Sequence, residues 1–371
     1  MKLGVTGAGG LLGFHARCCL HALKEAHEVR LASRTTFASP DEMDQFVDGL
    51  EGILHFAGMN RGDELEVEVT NIAIMRELVA ALRRTNTRPA IAYANSTHCN
   101  RETGYARGKR AGANILLQWG VECGARVGNF ILPHVFGEGG KPFCNSVVST
   151  FCQQLAHLEK PRIDVDGELE LLHAQDVAQC LIAWLCDGNA QCGQQRLAGT
   201  PIQVSVLLER LNTLLVRYVE QGAVPNLDSH IDLRLFNTLR SYLYPALYPR
   251  PLKLQKDARG ELFEVVKADQ GGQTFLSTTV PSATRGNHWH LRKIERFFVV
   301  SGCGTIRIRK LFSDEVQSFK VSGDVPAYID IPTLHTHSIT NTGDTLLQTL
   351  FWSNEIFDPI HPDTYPEVVL L

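Results

Sequence analysis

Residues 285–302 read RGNHWHLRKIERFFVVSG, in which His288 and His290 stand one residue apart and Glu295 follows five positions after His290. Far downstream, DIPTLHTHSITN adds His335 and His337, again two apart. Side chains two apart on a strand share a face, so each pair can turn toward one interior. Glu295 lies an odd step from His290, so the run LRKI must hold a turn that resets the direction, after which Glu295, Phe297 and Val299 share a face. Imidazoles and a carboxylate gathered in this way form a nitrogen and oxygen site of the kind that holds Zn, Mn, Fe or Ni, with room for water or a substrate oxygen. His230 and His361 have no such company and read as ordinary histidines.

A different chemistry is written at the other end. In TGAGGLLG the glycines at 7, 10 and 13 close a strand and open a helix, so the backbone can approach a pyrophosphate at the positive helix terminus. The spacing is GxxGxxG, because Leu12 stands where the pattern GxGxxG has its last glycine. About twenty residues on, where an NAD site places a carboxylate on the ribose, LASR offers Ser33 and Arg34; a guanidinium there favours the 2'-phosphate of NADPH. In GYARGKRAG, Tyr105 and Lys109 sit four residues apart on one helix face. A free phenol has a pKa of about 10, and a neighbouring ammonium lowers it, which makes Tyr105 a useful acid. Upstream, YANST presents Ser96, with Thr97 beside it, as a hydroxyl to hold a carbonyl for hydride attack.

These residues need elements to carry them. To about residue 190, short apolar runs (KLGVTG, EVRLAS, GILHFAG, AIAYANS, VGNFIL) alternate with helical patterns, and further helices continue to about 243. Such alternation predicts an α/β Rossmann-like, doubly wound parallel sheet. SYLYPALYPRPLKL, with prolines at 245, 249 and 251, then breaks any helix and reads as a connector. Beyond it come short β-type runs separated by Gly, Asn and Asp, which predict a small all-β sandwich or barrel. Two domains follow, 1–247 and 248–371.

The 371 residues suit two cores better than one. A net charge of −4 without long runs of one sign gives no footprint for nucleic acid or an anionic membrane, and no stretch approaches the roughly 18 apolar residues of a membrane span. Met1 leads straight into a strand, which places the protein in the cytoplasm. None of the ten cysteines forms a CxxC arrangement, so they read as plain thiols.

On TGAGGLLG, HFAG, Ser96, Tyr105 and Lys109, the first domain resembles the extended short-chain dehydrogenase/reductases (SDRs). The resemblance implies NADPH held by Gly7, Gly10, Leu11, Leu12, Gly13, Ser33, Arg34, Ala57, Tyr105, Lys109 and Pro133, the last from LPHVFG. It implies catalysis by Ser96, Tyr105 and Lys109 on a nucleotide-linked sugar, and it extends to LLHAQDVA with Asp176. Gly286, His288, His290, Glu295 and Gly302, followed by His337 and Asn341, resemble the two motifs of cupin barrels, with Leu334 where a glycine is common. Carried over by position, the metal ligands are His288, His290, Glu295 and His337, with zinc the expected ion. His335 is then a supporting or catalytic residue, and Lys293, Tyr328 and His335 are candidates for the base.

A reductase followed by a metal cupin is similar, over nearly the whole chain, to the CapF family of capsular polysaccharide biosynthesis proteins, on RGNHWH, ERFFVVSG and HTHSITN. That likeness implies a homodimer acting on a UDP-linked 4-keto-6-deoxy amino sugar. The cupin would epimerise C3 of UDP-2-acetamido-2,6-dideoxy-hexos-4-ulose. NADPH reduction of the C4 ketone would then give UDP-N-acetyl-6-deoxy-L-talosamine, on the way to UDP-N-acetyl-L-fucosamine. Two other readings stay open from the sequence: a reductase with a structural or dimerising cupin, and a non-enzymatic NADPH-sensing interaction protein, which would have no use for the Tyr/Lys pair.

Overall fold

The structure, a computed structural model, describes residues 1–371. The chain divides into two compact units, residues 1–140 with 165–204, and 141–164 with 205–371.

The first unit is the expected parallel α/β sheet. Its first half runs β1 (Lys2–Thr6), α1 (Leu11–Ala22), β2 (Glu28–Ala32), α2 (Arg34–Ala38), α3 (Pro40–Val47), β3 (Gly52–His55), α4 (Glu64–Arg84), β4 (Ala90–Ser96), α5 (Gly104–Cys123) and β5 (Val127–Leu132). After β6 (His134–Phe136) and α6 (Val147–Ala156), the latter in the second unit, come β7 (Glu168–His173), α7 (Ala174–Cys186), β8 (Gly193–Arg196) and β9 (Thr200–Gln203). The six-stranded sheet has the order β2-β1-β3-β4-β5-β8, all pairs parallel. β5 is buried along its whole length, as a strand covered on both faces must be, and is apolar except for Asn129, whose side-chain oxygen accepts from Asn95. The strand order reverses at β1 and β3, so a crevice opens beyond their carboxyl ends, where the Gly-rich turn and HFAG lie. The short stretch between β2 and β3 holds only α2 and α3, so β2 is the edge strand. Asp63 caps α4 through Leu65 and Glu66 N–H, with acids in the first turn and arginines in the last, which aligns with the helix dipole.

In the second unit α8 (Val204–Leu215) passes into a π-helical turn at Val216–Glu220, followed by α9 (His230–Leu243). The strands are β10 (Arg250–Pro251), β11 (Gln255–Asp257), β12 (Gly260–Leu262), β13 (Gln273–Thr279), β14 (Thr284–Trp289), β15 (Glu295–Ser301) and β16 (Cys303–Lys310). β17 (Val316–Ser322), β18 (Ala327–Ile331), β19 (His335–Asn341), β20 (Leu347–Ser353) and β21 (Tyr365–Pro366) complete the series. They form two five-stranded antiparallel sheets, β10-β18-β15-β20-β13 and β17-β16-β19-β14-β21. One apolar core joins them, with Phe297, Val299, Ile329, Ile331 and Leu347 from the first sheet against Ile306, Ile308 and Ile339 from the second. The helices that the sequence pattern groups with the first domain share this unit through a buried polar network. Tyr218 donates to Asp330 at 2.6 Å and bonds Tyr248, Arg296 grips Asp330 through two N–H groups, and Arg240 donates to the Ile331 carbonyl at 2.7 Å. All ten cysteines are free thiols, and no helix is long and apolar enough to cross a membrane.

Candidate functional site

At the switch point of the parallel sheet, the Thr6 hydroxyl accepts from the N–H groups of Phe56 and Ala57, each at 3.1 Å, and bonds His55 Nδ1 at 2.9 Å. The ends of β1 and β3 are thereby tied. Gly7 has φ +66°, and a Cβ there would lie 2.7 Å from Ala57 N; one at Gly13 would lie 2.2 Å from the Gly7 carbonyl oxygen. The backbone is packed too closely for side chains, which lets α1 start directly on the turn. Gly10 is its N-cap and supplies no side-chain bond to the open N–H groups, while Leu11 and Leu12 are half-buried. This cradle suits a pyrophosphate. Ser33 caps α2 by accepting from Thr35 and Thr36 N–H; Arg34, its first residue, is exposed and carries no ion pair. Pro133 is buried between β5 and β6, and Asp176 lies in the first turn of α7.

β4 ends at Ser96, and α5, capped by the Thr103 hydroxyl, carries Tyr105 and Lys109. Lys109 is buried, donates to the Ala94 carbonyl at 2.8 Å and sits 4.7 Å from the Tyr93 ring centroid and 5.9 Å from that of Tyr105. Burial pulls its pKa down to about 8. Burial also raises the Tyr105 phenol, against the opposing pull of the Ser96 hydroxyl. The expected lowering by the ammonium is therefore not a property of the protein alone: Lys109 spends its charge on a backbone carbonyl, and desolvation dominates the phenol. Sequence reasoning missed Asn71, which accepts from Met59 N–H at 2.9 Å and donates to the Met59 and Val67 carbonyls. It shapes the loop after HFAG beside Lys109, but a lone Asn in mid-helix carries no spacing signal.

In the second unit His288, His290, Glu295 and His337 converge, their ligand atoms all within 4.8 Å of one another. His288 and His337 face each other across β14 and β19. The first histidine pair is not on one regular strand. β14 has a register shift between Gly286 and His288, with Asn287 at φ +57°, and it ends at Trp289, leaving His290 just beyond. The anticipated turn in LRKI is the crossing from one sheet to the other. Asp363 holds it: the carboxylate accepts from Leu291, Arg292 and Lys293 N–H at 3.0, 3.0 and 2.8 Å. Its backbone carbonyl accepts a hydrogen bond from His290 Nδ1 at 2.5 Å. Asp363 lies 68 positions beyond Glu295 in an irregular segment, and nothing in the sequence ties it to the site.

Because a carbonyl can only accept, His290 carries its proton on Nδ1 and turns the Nε2 lone pair inward. That buried nitrogen has no hydrogen bond, although Glu295 Oε2 is 3.1 Å away. The same oxygen lies 3.1 Å from His337 Nε2 and 3.7 Å from His288 Nε2. Such separations match the roughly 3.4 Å edge of a tetrahedron with bonds near 2.1 Å. An orphaned lone pair against a carboxylate is what a divalent cation satisfies, so the donor set fits zinc. Burial works to raise Glu295, but the imidazoles gathered around it, His290 foremost, bring it well below the usual carboxylate range. Burial pushes His337 down to about 4, which keeps the ring neutral and able to ligate. The side chains of His337 and His290 are 0% and 2% exposed, those of Glu295 and His288 18% and 25%, so the cluster opens on one side.

Of the three candidate bases, Tyr328 is on the wrong face. It pairs with Phe298 and stacks under the Arg296 guanidinium at 3.7 Å, whereas Glu295 and Phe297 share the opposite face, where Phe297 meets the His337 ring. The Lys293 ammonium donates to the Pro362 carbonyl at 2.7 Å. His335 shares the face of His337, its Nδ1 donating to the Thr333 carbonyl at 2.7 Å. Leu334, just before His335, adopts φ +61°, a left-handed turn made without a glycine.

A second histidine and carboxylate cluster, His15, Glu138 and His173, is buried in the first unit. His15 Nε2 donates to the Glu138 carbonyl at 3.0 Å. His173 Nδ1 accepts from Gln175 N–H, so its Nε2 carries the proton and donates it to Glu138 Oε2 at 2.9 Å. Neither Nε2 has a lone pair to offer, and the cluster is a hydrogen-bonded brace between α1 and the β6–β7 region.

Residues 3–195, more than half of the chain, match the NAD dependent epimerase/dehydratase family. The chain belongs to that family. Residues 255–365 match the polysaccharide biosynthesis C-terminal domain, and the two matches leave the proposed boundary at 247/248 between them. This epimerase/dehydratase family member is 28% identical over 369 residues, 98% of each chain, to UDP-2-acetamido-2,6-beta-L-arabino-hexul-4-ose reductase of Pseudomonas aeruginosa. It is 29% identical to the crystal structure of the capsular polysaccharide assembling protein CapF of Staphylococcus aureus, with full coverage of both chains and a TM-score of 0.62. The NADPH complex of RMD from Pseudomonas aeruginosa shares the fold over 65% of this chain and 99% of that one, at 22% identity and a TM-score of 0.54. The fold and the CapF likeness anticipated from the motifs are those of the family member described here.

Proposed function

We propose that the protein is an NADPH-dependent nucleotide-sugar 4-ketoreductase that also epimerises its substrate at C3. The full-length likeness to a reductase of a UDP-linked 4-keto sugar carries this reading. NADPH, held by the glycine turn and Arg34, supplies the hydride. Ser96 hydrogen-bonds the C4 carbonyl, Tyr105 hands its phenolic proton to that oxygen, and Lys109 holds positive charge beside the phenol as it loses the proton. Because Lys109 titrates at about 8, its ammonium is present below that pH and lost above it, so reductase kcat/KM falls as pH rises through about 8.

At the second site a divalent ion, zinc by its donor set, would supply stabilisation of the negative charge that develops on the ketone oxygen when C3 loses its proton. His288, His290, Glu295 and His337 would hold the ion, and Asp363 fixes the loop that bears His290. Reduction destroys the ketone that acidifies C3, so epimerisation precedes it. UDP-2-acetamido-2,6-dideoxy-hexos-4-ulose would enter and UDP-N-acetyl-6-deoxy-L-talosamine would leave, from a cytoplasmic homodimer.

The test pairs two variants. Tyr105→Phe should lower ketone reduction by about 10²-fold or more and leave C3 deuterium uptake from heavy water intact. His288→Ala should abolish uptake while retaining reduction of pre-epimerised substrate. Reduction unaffected by the first change, or uptake unaffected by the second, refutes the corresponding half.

A further inference from the structure

Residues 290–294 link two of the four converging side chains, yet they belong to no strand, so their backbone groups must find partners elsewhere. Asp363 takes the N–H groups of Leu291, Arg292 and Lys293, and the Asn354 side-chain oxygen takes that of Ile294 at 2.8 Å. The Arg292 carbonyl is held from a helix: Asn237, in α9, donates to it through Nδ2 at 3.0 Å. Asn237 is 2% exposed, and its own oxygen accepts from Arg240 Nη1 at 3.2 Å. The two residues stand three apart on one helix face. Arg240, also buried, reaches with Nη2 to the Ile331 carbonyl at 2.7 Å, and Ile331 is the strand neighbour of Glu295. One helix face therefore grips both the loop between His290 and Glu295 and the strand beside Glu295. A guanidinium polarises the amide it bonds, which strengthens the bond that the amide donates onward.

We propose that Asn237 is a positioning residue of the second site, which fixes the separation of His290 from Glu295 through the Arg292 carbonyl. The assignment rests on the metal reading given above. The position calls for an acceptor toward the guanidinium and a donor toward the carbonyl, which a carboxamide supplies and neither a carboxylate nor an apolar side chain does. A hydrogen bond to a loop that joins two ligands acts on the distance between them, and a tetrahedral ion tolerates little change in that distance. Asp363 orients the loop from its N–H side and Asn237 anchors its carbonyl side, so the two hold it from opposite edges. α9 precedes the proline-rich segment that the sequence reads as a connector, so the site draws on residues from both sides of it.

The experiment uses full-length Asn237→Asp, which keeps an acceptor for Arg240 and loses the donor, and Asn237→Ala, which loses both. Each is stripped with a chelator and titrated with zinc and with cobalt(II) beside wild type. Zinc affinity should fall by about 10–100-fold in both variants. The cobalt(II) absorption bands should shift, because the ligand geometry has changed, and the rise in melting temperature given by a fixed zinc concentration should shrink. A melting temperature lowered equally with and without zinc, at unchanged affinity, marks a residue that serves the fold alone and overturns the assignment. Wild-type protein that binds neither ion sinks the metal reading itself; wild type that binds, with variants of equal affinity and unshifted cobalt spectrum, sinks only the role of Asn237.

Discussion

His15, Glu138 and His173 in the first unit and His288, His290, Glu295 and His337 in the second are built from the same residue types, the first wholly buried and the second open on one side. They differ in where the protons sit. In the first cluster a backbone carbonyl faces His15 Nε2 and a backbone N–H faces His173 Nδ1, so both Nε2 atoms carry hydrogen and spend it on Glu138. In the second, the Asp363 carbonyl faces His290 Nδ1, and the Nε2 lone pair is left pointing at Glu295. One backbone oxygen, placed at one ring nitrogen or the other, separates a brace from a candidate metal site.

The contrast is most exposed to Glu295→Gln. Elemental analysis after dialysis should find the ion gone and C3 deuterium uptake down by about 10³-fold, whereas Glu138→Gln should leave metal content unchanged. Metal lost equally from both variants would erase the distinction. Asp363→Ala tests the same point at one remove. With the 291–293 N–H groups unheld, His290 loses its orientation, and metal affinity should weaken by about 10–100-fold; unchanged affinity would mean that the loop holds its shape alone.

The smallest effect belongs to the brace. Glu138→Gln should cost about 1–3 kcal/mol at pH 7 by denaturant melts. The sign with pH follows from the direction of the carboxyl's shift. Burial acts to raise it, but His173 and His15 hold it far below the usual carboxylate range. Its contribution is then full above the unfolded value of about 4.3 and fades as pH falls toward the folded one. The gap between variant and wild type should narrow below about pH 4, and a gap that widens there would contradict the brace.

Much of this was legible in the chain. Alternating apolar runs and helices announced the parallel sheet, the proline-rich connector follows the end of α9 at Leu243, and the HxH and later histidine pairs marked the four residues that converge. What was not legible came from distant or irregular segments. Asp363 reaches the site from 68 positions away, and Asn71 shapes the loop beside Lys109 from mid-helix. The alignment of Lys109 with Tyr105 was visible as a four-residue step, yet burial and the Ala94 carbonyl decide its charge and direction.

Local periodicity and glycine spacing thus determined which elements form and which side chains share a face, because both depend on residues a few positions apart. Only the tertiary structure decided the proton on each histidine, the side of the sheet on which Tyr328 lies, and the pKa of each buried group. Those depend on which backbone carbonyl or N–H happens to arrive opposite a ring nitrogen, and on how much water is excluded there, neither of which is written in any short run of residues.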